Sequence, residues 1–103
     1  MTVELLWWDG CPSYSEALDQ LNQILREEGV DAEVELVEVA SDEQARRERF
    51  FGSPTIRING EDALPPDGGE PYSLTCRVYL TRAGRVSAIP DPDDLREAVR
   101  RAE

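Results

Sequence analysis

The chain has 103 residues, 22 of them acidic and 11 basic, and it carries a formal charge of −11 without a single histidine. That length supports one hydrophobic core and hence a single domain over residues 1–103, and the acidity excludes a nucleic-acid backbone or an anionic membrane surface as partner. The missing histidine removes Ser-His and Cys-His nucleophile pairs and imidazole metal sites; the missing lysine (every basic residue is arginine) removes Schiff-base chemistry and a Walker-type phosphate loop.

Val3 to Trp8 is short and mostly apolar and ends in Asp9-Gly10, the pattern of a buried strand followed by a loop. A helix of about 16 residues follows, with Ala17, Leu18, Leu21, Ile24 and Leu25 on one face and Gly29 closing it. Ser13 and Glu16 are spaced as a capping box, while Pro12 equally suits the first turn of a helix that starts at Cys11. Ala32 to Val39 alternates and then turns apolar, a second strand. Ser41 and Gln44 open a short charged helix through Arg49 or Phe50, which Gly52-Ser53-Pro54 ends. Thr55 to Ile58 is a third strand that runs into the turn dipeptide Asn59-Gly60.

Residues 61–75 read as a loop longer than a simple hairpin needs, rich in proline and glycine. Cys76 to Thr81 sets Cys76, Val78 and Leu80 against Arg77, Tyr79 and Thr81, a fourth strand, and Arg85 to Ile89 offers a further short one. Asp91-Pro92 begins a last helix with Leu95, Ala98 and Val99 as its apolar face. The order β-α-β-α-β-β-α predicts an α/β domain: a central mixed sheet of four strands flanked by three helices, the first strands parallel and the last two an antiparallel hairpin.

No run reaches the apolar length of a membrane span, and Met1-Thr2-Val3-Glu4 lacks the start of a secretory signal, so a cytoplasmic location is expected. In that compartment the two cysteines, Cys11 and Cys76, are expected as free thiols. Cys11 lies between a strand and a helix, where unpaired backbone N–H groups and the helix dipole favour a thiolate and the charge of Asp9 opposes it. The bland alternative is an inert, half-buried cysteine. Cys76, first in an alternating strand, reads most simply as a small core residue. To resolve a bond at Cys11, its Cα must come within about 7 Å. Pairing of its strand with the third strand would carry it away from Cys11, and the long loop before it offers a way back.

In this order, two motifs resemble the thioredoxin-like superfamily. Trp8-Asp9-Gly10-Cys11-Pro12 stands where that superfamily places its nucleophilic cysteine, and Gly52-Ser53-Pro54-Thr55 where thioredoxins and glutaredoxins carry a cis-proline facing it. Together with Ser73-Leu74-Thr75-Cys76-Arg77-Val78-Tyr79, these runs are also similar to small bacterial thioredoxin-like proteins labelled alkylmercury lyase-like. Tyr14 stands where dithiol members have a second cysteine, so ordinary dithiol reduction does not carry over.

The resemblance implies a thioredoxin-like fold and a thiol-dependent redox protein. Cys11 would attack a disulfide, and an external thiol or Cys76 would resolve the product. The substrate would be a thiol or disulfide, small or protein, with glutathione or another low-molecular-weight thiol as co-substrate and no resident cofactor or metal. Trp8, Pro12, Tyr14, Ser53, Pro54 and Thr55 would line a shallow groove, with a cis Ser53-Pro54 bond presenting the Ser53 backbone to an extended substrate. A different chemistry is organomercurial cleavage or soft-metal capture by Cys11 and Cys76, with a buried Asp9 as proton donor. A non-enzymatic binding module of the same fold is the third reading. No oligomeric state follows from the sequence.

Overall fold

The apolar run at the start of the chain becomes the centre of a sheet. In the computed structural model, which describes residues 1–103, β1 (Val3–Trp7) pairs in parallel with β2 (Val34–Glu38) and antiparallel with β3 (Thr55–Ile58). Asn59 and Gly60, both at positive φ (53° and 83°), turn β3 directly into β4 (Glu61–Asp62), the geometry that a two-residue hairpin demands. The sheet is thus mixed, in the order β2-β1-β3-β4.

Three helices flank it: α1 (Tyr14–Glu27), α2 (Asp42–Arg47) and α3 (Pro92–Ala102). Helix α1 starts at Tyr14, later than Cys11, and Ser13 at its N-cap makes no capping bond. The Ser41 hydroxyl does cap α2, accepting from the Gln44 N–H at 3.1 Å, while the Gln44 side chain accepts from the Ala40 N–H at 2.9 Å. Asp91 caps α3 through the N–H groups of Asp93 and Asp94, with Pro92 in the first turn.

Two expectations are corrected. Strand β3 is antiparallel to β1, because Ala45 of α2 and Phe50 after it pack on Leu6 and Val39, so the chain enters β3 from the end of the sheet where β2 finishes. The fourth strand of the sheet is β4, not the segment from Cys76 to Thr81. That segment instead contributes β5 (Tyr79–Leu80) to a separate two-stranded sheet with β6 (Val86–Ser87).

The period of two along β1 divides the core. Val3 and Leu5 face α1 and α3, where they pack with Leu21, Ile24, Leu25, Ile56, Leu95 and Val99. Leu6 faces the other way and joins Val39, Ala45 and Phe50 under α2. The register sets Leu6 opposite Thr55, so the end of β1, the loop after it and the start of β3 share one end of the sheet. No helix is long and apolar enough to cross a membrane.

Candidate functional site

That shared end brings Cys11 together with Cys76. Cys11 sits in the turn after β1, its N–H donating to the Trp8 carbonyl at 3.0 Å, and it is only 5% exposed. The indole of Trp8 lies over Gly10, where a β-carbon would fall 2.4 Å from the ring, so glycine is the residue that lets the turn close under this tryptophan. The Cys11 sulfur is 3.5 Å from the Ser13 hydroxyl. In place of capping the helix, this hydroxyl is available to donate a hydrogen bond to sulfur.

Cys76 is bonded to Cys11, with the two Cα atoms 5.5 Å apart across a sequence separation of 65. The expectation of two free thiols is therefore corrected: no free cysteine is present. A bond of this kind persists in oxidising surroundings and is transient in a reducing cytosol. Cys76 is also not a core residue; it is solvent-exposed. It approaches Cys11 because β3 takes β4 as its partner, which frees the later segment to cross the start of β3. There Ser53 and Cys76 form a parallel bridge. The Ser53 N–H donates to the Thr75 carbonyl at 2.8 Å, and the Arg77 N–H donates to the Ser53 carbonyl at 2.9 Å. Gly52, at φ 131°, makes this crossing possible: a β-carbon there would stand 2.9 Å from the Arg77 backbone nitrogen. The Ser53-Pro54 peptide bond is cis.

Arg77 and Tyr79 are the residues that sequence reasoning missed. The alternation from Cys76 to Thr81 is present, but its sense is inverted, with Arg77 and Tyr79 buried and Val78 and Leu80 exposed. Arg77 pairs with Asp62 at 2.8 Å, donates to the Thr55 hydroxyl at 3.2 Å and to the Leu64 carbonyl, and lies 4.6 Å from the Tyr79 ring centroid. The Tyr79 hydroxyl donates to the Pro54 carbonyl at 2.6 Å. Burial pushes the Tyr79 phenol above its ordinary pKa, with the Arg77 charge acting in the opposite direction. An arginine and a tyrosine two positions apart beside apolar neighbours were the available signal, readable as an inward polar face only once a buried partner such as Asp62 is known.

The remaining candidates are placed as follows. Ser53 and Thr55 are buried; the Ser53 hydroxyl has no hydrogen-bond partner, and the Thr55 hydroxyl donates to the Gly52 carbonyl at 2.6 Å. Pro54 is buried beside them, and Pro12 is exposed. Tyr14 stacks on Trp7, ring centroids 4.4 Å apart, and packs against the main core, whereas Trp8 packs against the smaller one. Asp9 is exposed, without the burial that a desolvated proton donor requires. Neither cysteine lines any of the surface clefts, and no group of three or more cysteine and acidic side chains gathers to hold a metal ion. The arrangement is a surface disulfide with one half sheltered at a strand-to-helix turn and the other half exposed on a pinned segment. Comparison with protein families, with curated proteins and with solved structures finds no match to this chain.

Proposed function

We propose that this chain is a thiol–disulfide exchange protein of thioredoxin-like fold whose redox couple is Cys11 and Cys76. The observation that carries the reading is the Cα separation of 5.5 Å between these two cysteines, at the end of the sheet where β1 finishes and β3 starts. The second thiol that Tyr14 does not supply comes from Cys76 instead. Closing and opening the bond is then an internal step, with an external thiol or disulfide as the other reactant. A sulfur near the start of α1 with a hydroxyl 3.5 Å away is well placed to carry negative charge when the bond opens.

The test is equilibration of the folded protein in buffers of graded thiol-to-disulfide ratio, scored by alkylation of the free thiols. An exchange protein opens and closes this bond reversibly while its far-UV circular dichroism stays native. It also accelerates reduction of an added disulfide, and Cys11→Ser abolishes that activity. A bond that opens only when the chain is unfolded marks a structural staple and refutes the proposal. The same proximity supports a second reading, capture of a soft metal ion by the reduced pair, since metal–thiolate bonds of about 2.3 Å let two such sulfurs meet on one ion. Binding of a mercuric salt at one equivalent by the reduced protein, lost in either cysteine variant, is its expected signature.

A further inference from the structure

We propose that the external reactant is a low-molecular-weight thiol or disulfide that meets the protein at Cys76, and that extended polypeptides are shut out by the chain's own residues Thr75–Arg77. This inference rests on the exchange reading above and names its substrate class and point of entry.

An extended peptide docks on a strand-like residue by pairing with its free N–H and C=O groups. Ser53 bridges to Cys76, whose sulfur is bonded to Cys11, and both of its backbone groups are already taken. Its N–H serves the Thr75 carbonyl at 2.8 Å and its carbonyl serves the Arg77 N–H at 2.9 Å. The chain thus lays its own cysteine-bearing segment where a substrate strand would lie. That segment is pinned, since the Arg77 guanidinium is buried among Asp62, the Thr55 hydroxyl and the Leu64 carbonyl. Displacing it would strand a buried cation without its partners.

Accessibility then selects the sulfur. Cys11 is 5% exposed and Cys76 is exposed, so an incoming thiolate reaches the Cys76 side of the bond. A bond forms between the external sulfur and Cys76 Sγ, and the Cys11–Cys76 bond breaks. Cys11 leaves with the electron pair as a thiolate beside the Ser13 hydroxyl. A second external thiolate attacks the external sulfur of the adduct, releasing the external disulfide and the Cys76 thiolate. Two external thiols are oxidised, the protein pair gains two electrons, and the two protons end on Cys11 and Cys76. In the reverse direction the Cys76 thiolate attacks the external disulfide and Cys11 resolves. The order is the opposite of the one expected from the Cys11 motif.

Glutathione is the probe. The oxidised wild-type protein is mixed with a limiting amount of glutathione, quenched in acid, alkylated and mapped by proteolysis and mass spectrometry. The adduct is expected on Cys76, a result that needs no variant to fold. Reduced Cys11→Ser is expected to accumulate the Cys76 adduct with glutathione disulfide, and Cys76→Ser to react at Cys11 at least roughly tenfold more slowly, as restricted access dictates. A β-prone peptide with a central cysteine in mixed disulfide is expected to react with the reduced wild-type protein no faster than glutathione disulfide does. An adduct on Cys11 in the wild type, or a tenfold preference for the peptide, overturns the inference and leaves the exchange reading standing. A native bond that exchanges with no thiol removes both.

Discussion

The sheet with its helices and the segment from Tyr72 to Ala88 are built on different principles. In the first, stabilisation is spread over Val3, Leu5, Leu6, Leu21, Phe50, Ile56, Leu95 and their neighbours, all buried and apolar. In the second, Val78, Leu80 and Val86 point outward, at 64%, 70% and 74% exposed. Specific ties hold that segment, among them the bond to Cys11, the backbone pairing with Ser53, the Arg77 pair with Asp62, the Tyr79 hydroxyl on Pro54 and the Arg82 pairs with Asp94 and Glu97. A region held by area tolerates small losses everywhere, whereas a region held by a few ties comes loose where one is cut. The Cys11–Cys76 bond joins the two regions.

The largest effect expected is global. Phe50 is fully buried, and Phe50→Ala is expected to lower stability by about 4 kcal/mol in chemical denaturation, with one cooperative transition. Arg77→Ala leaves Asp62 without its cation and is expected to cost about 3 kcal/mol. Its signature differs from that of Phe50→Ala: amide exchange and proteolysis should rise first within Tyr72 to Ala88, and a uniform rise over the whole chain would erase the distinction drawn between the regions. Tyr79→Phe removes a single hydrogen bond, and a loss of about 1 kcal/mol is expected by the same denaturation assay.

The smallest effect is on the acid side. The Arg82 backbone N–H holds the Asp91 carboxylate below its ordinary pKa, and the Arg100 guanidinium does the same for Glu28. Both carboxylates are depressed in the folded state, so their contribution is present above the unfolded pKa and is lost as pH falls through the folded value. The loss is expected below about pH 4. Asp91 links the turn after β5 to α3, so Asp91→Asn should reduce the acid sensitivity of that link as read by amide exchange of Arg82. An unchanged profile would show the link to be inert.

Much of the first region was legible because its patterns repeat. Leu21, Ile24 and Leu25 mark the buried face of α1, the Asn59-Gly60 pair marks a hairpin, and Asp91-Pro92 marks a helix start, each through a local rule that tertiary contacts reinforce. The last strand of the first region and the whole of the second resisted the same rules. Glu61 and Asp62 carry no strand signal of their own; they become β4 because the preceding turn delivers them to β3. Arg77 and Tyr79 alternate with valine and leucine, and periodicity alone cannot state which side is inward when the inward side is polar. The two halves of the site divided in the same way. The turn at Cys11 is a local motif, while the arrival of Cys76 depends on which strand β3 pairs with, a long-range choice that no short window contains.

The Cys11–Cys76 bond also has a mechanical consequence. Under tension applied at the two ends, the residues between the cysteines form a closed loop that carries no load, so the oxidised chain extends only through its outer parts. Reduction releases the loop. With a sequence separation of 65, it adds roughly 200 Å of contour length at ~3.3–3.6 Å per residue, so a single molecule held in a force trap would report its own redox state as a step in length.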